Sequence, residues 1–313
     1  MSLTPEQHRE RATGLGSSDA GVVAHVSPFK SALELYYEKR GEVPPSAEET
    51  EAMEWGTLLE EPIAQKFSRV TGLKVRRQPL KRATATPFML ASIDRQVLGE
   101  TAILECKALN AFTRIDGVLD LPDYIYLQCQ HQLEVYGYER LHLALLLGGQ
   151  RFLTFPVERD QPTIDVLIEI EAEFWRRVEL GDPPPPDGSD ACKDLMKRLY
   201  PQDSGKIIAL TSDDALATVL ALEAARTDLK DAEDRKTAAE NWVKFRMEEA
   251  SVCRIPQYGE ITWKRARGSK SLEVNEALLK EKYPEIYKEV IVEREREGAR
   301  RFLLKPQKGV VPA

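Results

Sequence analysis

The chain has 313 residues, 42% of them apolar, and a formal net charge of −7. That length accommodates two domains, or one large domain with an extension, and the acidic balance excludes bulk electrostatic adhesion to nucleic acid while leaving room for a local basic groove. No apolar run is long enough to span a membrane, the first residues lack the marks of a signal peptide, and four cysteines without paired spacing form no zinc or iron–sulfur signature, so a reducing cytoplasm is the expected setting.

In chain order, the first informative stretch is Arg11-Ala12-Thr13-Gly14-Leu15-Gly16-Ser17-Ser18-Asp19-Ala20. Glycines and serines leading into Gly21-Val22-Val23-Ala24 predict a capped helix start, whose free backbone N–H groups favour an anion. Arg11 adds a cation able to share that anion with Ser18, although an ordinary capped helix explains the stretch when it is read alone. A helix is expected over 32–40, closing at Gly41. A longer one runs from Glu51 to Thr71 and stops at Gly72, with Trp55, Leu58, Leu59, Ile63 and Phe67 as its buried face and Glu60 beside it. The basic run from Lys74 to Arg82 reads as an edge strand, either solvated or touching a DNA backbone.

Phe88 to Asp94 is expected to form a strand ending on an aspartate. Val97 to Glu100 then turns, and Thr101 to Lys107 returns antiparallel, bringing Asp94 close to Glu105. On that returning strand Glu105 and Lys107 share a face and Cys106 takes the other. Residues 110–123 read as a loop, 124–137 as a helix carrying Gln128, and 141–147 as a buried strand paired with 151–158. An amphipathic helix follows over 164–180. The proline-rich linker 183–188 separates a domain at 1–182 from an extension at 189–313. The extension is expected to hold a long helix over 212–250, packed on the body because Lys236 and Arg246 interrupt its near-heptad stripe. A strand over 260–267, a short helix over 273–283 and a last strand at 302–304 complete it.

Phosphodiester hydrolysis needs an activated water, relief of charge on the phosphate and a stabilised leaving oxygen, and two hard cations bridged by carboxylates supply these. Asp94 and Glu105 offer shared ligands, Cys106 its backbone carbonyl, and Glu60 the rest of a second cation's shell. Lys107 is placed to orient or deprotonate the water, with burial beside a metal lowering its pKa, and Gln128 to hold the water or a phosphate oxygen. Glu-x-Lys alone carries little. A Glu-bearing helix, an Asp-ending strand, Glu-x-Lys and a Gln-bearing helix, in that order, point to the PD-(D/E)xK nucleases. The expected fold is therefore α/β, a restriction-endonuclease-like core with a central mixed β-sheet flanked by helices, extended by a mainly helical C-terminal region.

The segments Gly14-Leu15-Gly16-Ser17-Ser18-Asp19-Ala20, Ser27-Pro28-Phe29-Lys30, Trp55-Gly56-Thr57-Leu58-Leu59-Glu60, Leu104-Glu105-Cys106-Lys107 and Gln128-Cys129-Gln130-His131-Gln132-Leu133 resemble the successive motifs of the YqaJ viral recombinase family, which includes phage lambda-type exonuclease. The resemblance implies a Mg2+-dependent exonuclease, with two ions per site and Mn2+ as a substitute. It implies hydrolysis of linear double-stranded DNA in the 5′→3′ direction, leaving 3′ single strands for a phage single-strand annealing protein in the bacterial host cytoplasm. Glu60, Asp94, Glu105 and Lys107 become active-site residues and Gln128 an auxiliary, while Arg11 and Ser18 match positions that hold the 5′-terminal phosphate. A ring-shaped trimer is the family's assembly. An endonuclease on the same core, or a catalytically weak module that binds DNA ends, are the alternatives, and the intact Asp94, Glu105 and Lys107 weigh against the second. The chain departs from the family where Ser-Pro-Asp-Gly becomes Ser92-Ile93-Asp94-Arg95, which places Arg95 as a screen at the metal site. The family's Glu-Pro pair becomes Glu60-Glu61-Pro62, with Glu60 chosen by its spacing from Gly56.

Overall fold

A computed structural model describes residues 10–43, 50–265, 268 and 274–291. The chain divides after Pro201 into two compact units. In the first unit, β1 (Leu15–Gly16), β2 (Lys74–Arg76), β3 (Lys81–Arg82), β4 (Met89–Ala91), β5 (Arg95–Leu98), β6 (Ala102–Leu109), β7 (Arg140–Leu147) and β8 (Arg151–Glu158) form two sheets. The larger has the order β2-β5-β6-β7-β8, with β6 and β7 parallel and the other neighbours antiparallel. The smaller has the order β1-β4-β3, with β1 and β4 parallel. The helices are α1 (Ala20–Val23), α2 (Ala32–Lys39), α3 (Glu51–Thr71), α4 (Asp123–Tyr136), α5 (Gln161–Leu180) and α6 (Asp190–Leu199).

Strand alternation sorts β6 between two cores. Ile103 joins Leu141, Leu143 and Leu145 of β7 against Ile125, Cys129 and Leu133 of α4. Leu104 joins Ala144 on the opposite face, against Ile63, Ala64 and Phe67 of α3. The sheet is thus covered on both faces, as a parallel crossover requires. Continuing the alternation, Glu105 and Lys107 project toward α4, and Cys106 packs on the α3 side. A third cluster joins α1, α2 and α5 through Val22, Leu35 and Phe174. Gly21 permits α1 to lie against α4, because a Cβ there would sit 2.7 Å from the Cβ of Tyr124.

Several expectations change. The hairpin partner of β6 is Arg95–Leu98, not a strand over 88–94. The chain leaves the smaller sheet after Ala91 and enters the larger at Arg95, and the turn falls at Gly99, whose φ is +89°. The basic run is likewise split between sheets, β2 bordering one and β3 the other. Helix α3 has the expected bounds, with Thr50 accepting from the Met53 N–H and Gly72 left-handed at its end. Its buried face is shorter than the pattern suggests, for Trp55 and Leu58 are exposed while Ile63 and Phe67 are buried.

The unit boundary lies beyond the proline run. Helix α6 follows the prolines yet belongs to the first unit, where Cys192 and Leu195 pack on Leu33. Four prolines stiffen the path without making it a boundary, because α6 still has an apolar face to bury. The second unit contains α7 (Asp213–Met247), the hairpin of β9 (Val252–Ile255) and β10 (Gly259–Thr262), α8 (Glu276–Lys282) and α9 (Pro284–Val290). Of α7 only Met247 is buried, and Leu229 is exposed. The strand expected at 302–304 and the end of the strand expected over 260–267 lie outside the described residues.

Candidate active site

Arg95 pairs with Leu104 across the hairpin, which sets Asp94 opposite Glu105. Asp94 Oδ2 accepts the Cys106 N–H at 2.7 Å. Lys107 Nζ lies 2.8 Å from Glu105 Oε1 and donates to Gln128 Oε1 at 2.9 Å. Gln128 Nε2 donates in turn to Glu105 Oε1 at 2.7 Å. The other Glu105 oxygen accepts from Gln132 Nε2 at 2.8 Å. Glu105 is buried, yet each of its oxygens is matched, and the two glutamines sit one helical turn apart on α4. Gln132 joins the site residues expected from the sequence. Its spacing of four from Gln128 was the available signal, but only the strand-to-helix packing shows that both amides face one carboxylate.

Burial, followed by the Glu105 and Glu60 carboxylates, pushes Asp94 well above the usual carboxylate range. For Lys107, burial pulls the pKa down, but the Glu105 carboxylate outweighs it and the net shift is upward. With no cation on the carboxylates, the ion pair with Glu105 favours the ammonium form of Lys107. Burial, with Asp94 and Glu105 adding to it, raises the Cys106 thiol so far that it stays protonated. The Cys106 side chain packs on the α3 face, the side opposite Glu105 and Lys107.

Glu60, on α3, is engaged elsewhere. Arg95 is 3% exposed and pairs through Nη1 with Glu60 Oε1 and with its own neighbour's carbonyl at Asp94, and through Nη2 with Glu61 Oε2 at 2.7 Å. Arg77 Nη2 lies 3.7 Å from both carboxylates. Of the basic run over 74–82, Arg77 and Arg82 pair within the fold, while Lys74, Arg76, Arg77 and Lys81 remain exposed. Arg82 donates to Thr13 Oγ1 at 2.7 Å, and Lys81 Nζ sits 4.9 Å from the Tyr136 ring centroid.

At the α1 end, Arg11 Nη2 donates to Ser18 Oγ at 3.1 Å, joining the two residues expected to share an anion. Lys39 of α2, absent from the sequence reading, pairs with Asp19 at 2.8 Å and donates to the Arg11 carbonyl at 3.0 Å. The Gly16 N–H donates to Asp19 Oδ2 at 2.9 Å. Against its burial, Lys39 and then Arg11 hold Asp19 ionised. Asp19 thus positions the cations rather than an anion.

The donor set suits a hard divalent cation. Asp94 and Glu105 bring carboxylate oxygens together, and Lys107 supplies only one compensating charge. Among the described residues no group of three or more His, Cys, Asp or Glu side chains converges as a metal site. The fit is thus to an ion held by two carboxylates and otherwise by water, a coordination that Mg2+ accepts.

The model of the YqaJ-like viral recombinase domain matches residues 6–139. The uncharacterized protein YqaJ of Bacillus subtilis (strain 168) is 32% identical over 289 residues, covering 90% of this chain and 88% of that protein. The crystal structure of an alkaline exonuclease, LHK-Exo, from Laribacter hongkongensis aligns with a TM-score of 0.50 at 20% identity, over 63% of this chain and 100% of that chain. The same enzyme in complex with dAMP gives 0.50 and 20%, over 63% and 98%. At that identity the likeness speaks for the fold, a PD-(D/E)xK core of mixed sheet flanked by helices.

Proposed function

The chain belongs to the YqaJ-like viral recombinase family, and from that premise we propose that it is a Mg2+-dependent exonuclease acting 5′→3′ on linear double-stranded DNA. The observation that carries the reading is the convergence of Asp94, Glu105, Lys107 and Gln128 where β5, β6 and α4 meet. Asp94, Glu105 and the Cys106 carbonyl would hold the cation, which when bound supplies Lewis-acid relief of charge on the scissile phosphate. Lys107, beside Glu105, would orient or deprotonate the attacking water. Gln128 ties Lys107 to Glu105, and Gln132 fixes the second Glu105 oxygen, so the carboxylate is held in place before substrate arrives. Arg11 and Ser18 would receive the 5′-terminal phosphate and so give digestion its direction.

The product in this reading is a 3′ single strand, handed to a single-strand annealing protein in the cytoplasm of a bacterial host. A homo-oligomeric ring is part of the same proposal. Among the described residues no helix is long and apolar enough to cross a membrane. Digestion of linear duplex labelled at either the 5′ or the 3′ end tests the reading. Early release of the 5′ label, with covalently closed circles resistant, is expected. Cutting of closed circles would favour an endonuclease on the same core.

A further inference from the structure

We propose that the Arg95 guanidinium, clamped by Glu60 and Glu61, stands where a second cation would sit, so that this chain binds a single divalent ion, on Asp94 and Glu105. The inference rests on the metal-dependent reading above and concerns the number of ions, not whether one binds.

The two acidic groups differ in countercharge. Glu60 and Glu61 face two guanidiniums, Arg95 in direct contact and Arg77 at 3.7 Å from each. Two negative charges meet two positive ones, leaving nothing for a divalent ion to neutralise. Arginine does not lose its proton in proteins, so Arg95 could leave only by swinging away. It is 3% exposed, anchored on β5, and also donates to the Asp94 carbonyl. An ion on Glu60 would lie beside that fixed positive charge. Asp94 and Glu105 present two carboxylates against Lys107 alone; their remaining partners are the Cys106 N–H and the neutral amides of Gln128 and Gln132. No guanidinium sits on the Asp94 and Glu105 carboxyl oxygens, as Arg95 does on Glu60.

Titration of Mn2+ into the metal-free full chain, followed by calorimetry and by the electron paramagnetic resonance signal of free Mn2+, reads the stoichiometry directly. One ion per wild-type chain is expected, lost in Asp94→Asn, with a second ion bound in Arg95→Gly. Arg95→Gln keeps a hydrogen-bond donor in the clamp without its charge. It should also admit a second ion, and serves if the glycine variant fails to fold. Two ions on the wild type would overturn the inference while leaving a metal-dependent nuclease intact. No ion on the wild type would overturn both. A single ion on a folded Arg95→Gln chain would show that Arg95 is not what excludes the second. One bound ion without nuclease activity on labelled linear duplex would sink the functional reading and leave the stoichiometry standing.

Discussion

Two acidic corners flank the start of β5, and they are built in opposite ways. At Glu60 and Glu61 the chain supplies its own cations, so the carboxylates act as a brace between α3 and the sheet. At Asp94 and Glu105 it supplies neutral amides and one ammonium, leaving charge to be answered from outside. Residue type is shared between the corners; what separates them is the countercharge. A third buried acid extends the comparison. Glu171 of α5 lies 2.9 Å from His131, whose other ring nitrogen faces the Leu90 carbonyl at 2.9 Å. A carbonyl only accepts, so that nitrogen carries a proton and the histidine links α4, α5 and β4.

The sharpest way to break the contrast is Glu105→Ala. It removes a proposed ligand and strands Lys107, Gln128 and Gln132, and the rate on end-labelled linear duplex should fall by roughly 10^3-fold or more. Full Mg2+-dependent activity in a folded variant would remove Glu105 from the site. His131→Leu probes the self-neutralised acid outside the Asp94 and Glu105 group. Leaving Glu171 buried without its partner should cost about 3–5 kcal/mol in urea unfolding.

The same pair predicts a pH dependence. For His131, burial lowers the pKa but Glu171 outweighs it, and the net shift is upward; for Glu171, burial raises it despite His131. The folded state therefore binds protons more tightly than the unfolded chain. The His131 contribution is whole below the ordinary histidine value of about 6.5 and is lost as pH rises through the folded value. Urea midpoints measured from pH 6 to 9 should fall in the wild type, and that fall should shrink in His131→Leu.

Smaller effects sharpen the brace itself. Glu60→Gln should cost about 1–3 kcal/mol, since the Glu60 side chain is 22% exposed and Arg95 loses charge-assisted bonding. Glu61→Gln, on a side chain 53% exposed, should cost less than about 1 kcal/mol. Equal losses would mean that the two carboxylates share Arg95 evenly. Arg11→Ala should reduce the preference for 5′-phosphorylated over 5′-hydroxyl ends by about tenfold, worth roughly 1.4 kcal/mol, in competition digests. An unchanged preference would remove the phosphate role.

Legibility in the sequence followed locality. The bounds of α3 could be read because Thr50 and Gly72 cap it within the segment itself. The shared face of Glu105 and Lys107 could be read because strand alternation is a backbone property. The hairpin is not legible locally, because Phe88 to Asp94 looks like one strand and Val97 to Glu100 like its turn, whereas Met89–Ala91 and Arg95–Leu98 are separate strands that enter different sheets. Trp55 and Leu58 are exposed despite their helical spacing, because spacing marks a potential face while only a neighbouring element buries it.

By itself the sequence determined the motif order, the helix ends and the acid–amine pair of β6, all set by short-range backbone rules. Only the tertiary structure decided which carboxylates keep their charge open. Glu60 and Arg95 lie 35 positions apart, Glu105 and Gln132 27 apart, and Asp19 and Lys39 come from different helical turns. Electrostatic compensation depends on distance through space and on burial, and neither quantity exists until the sheet and helices have packed.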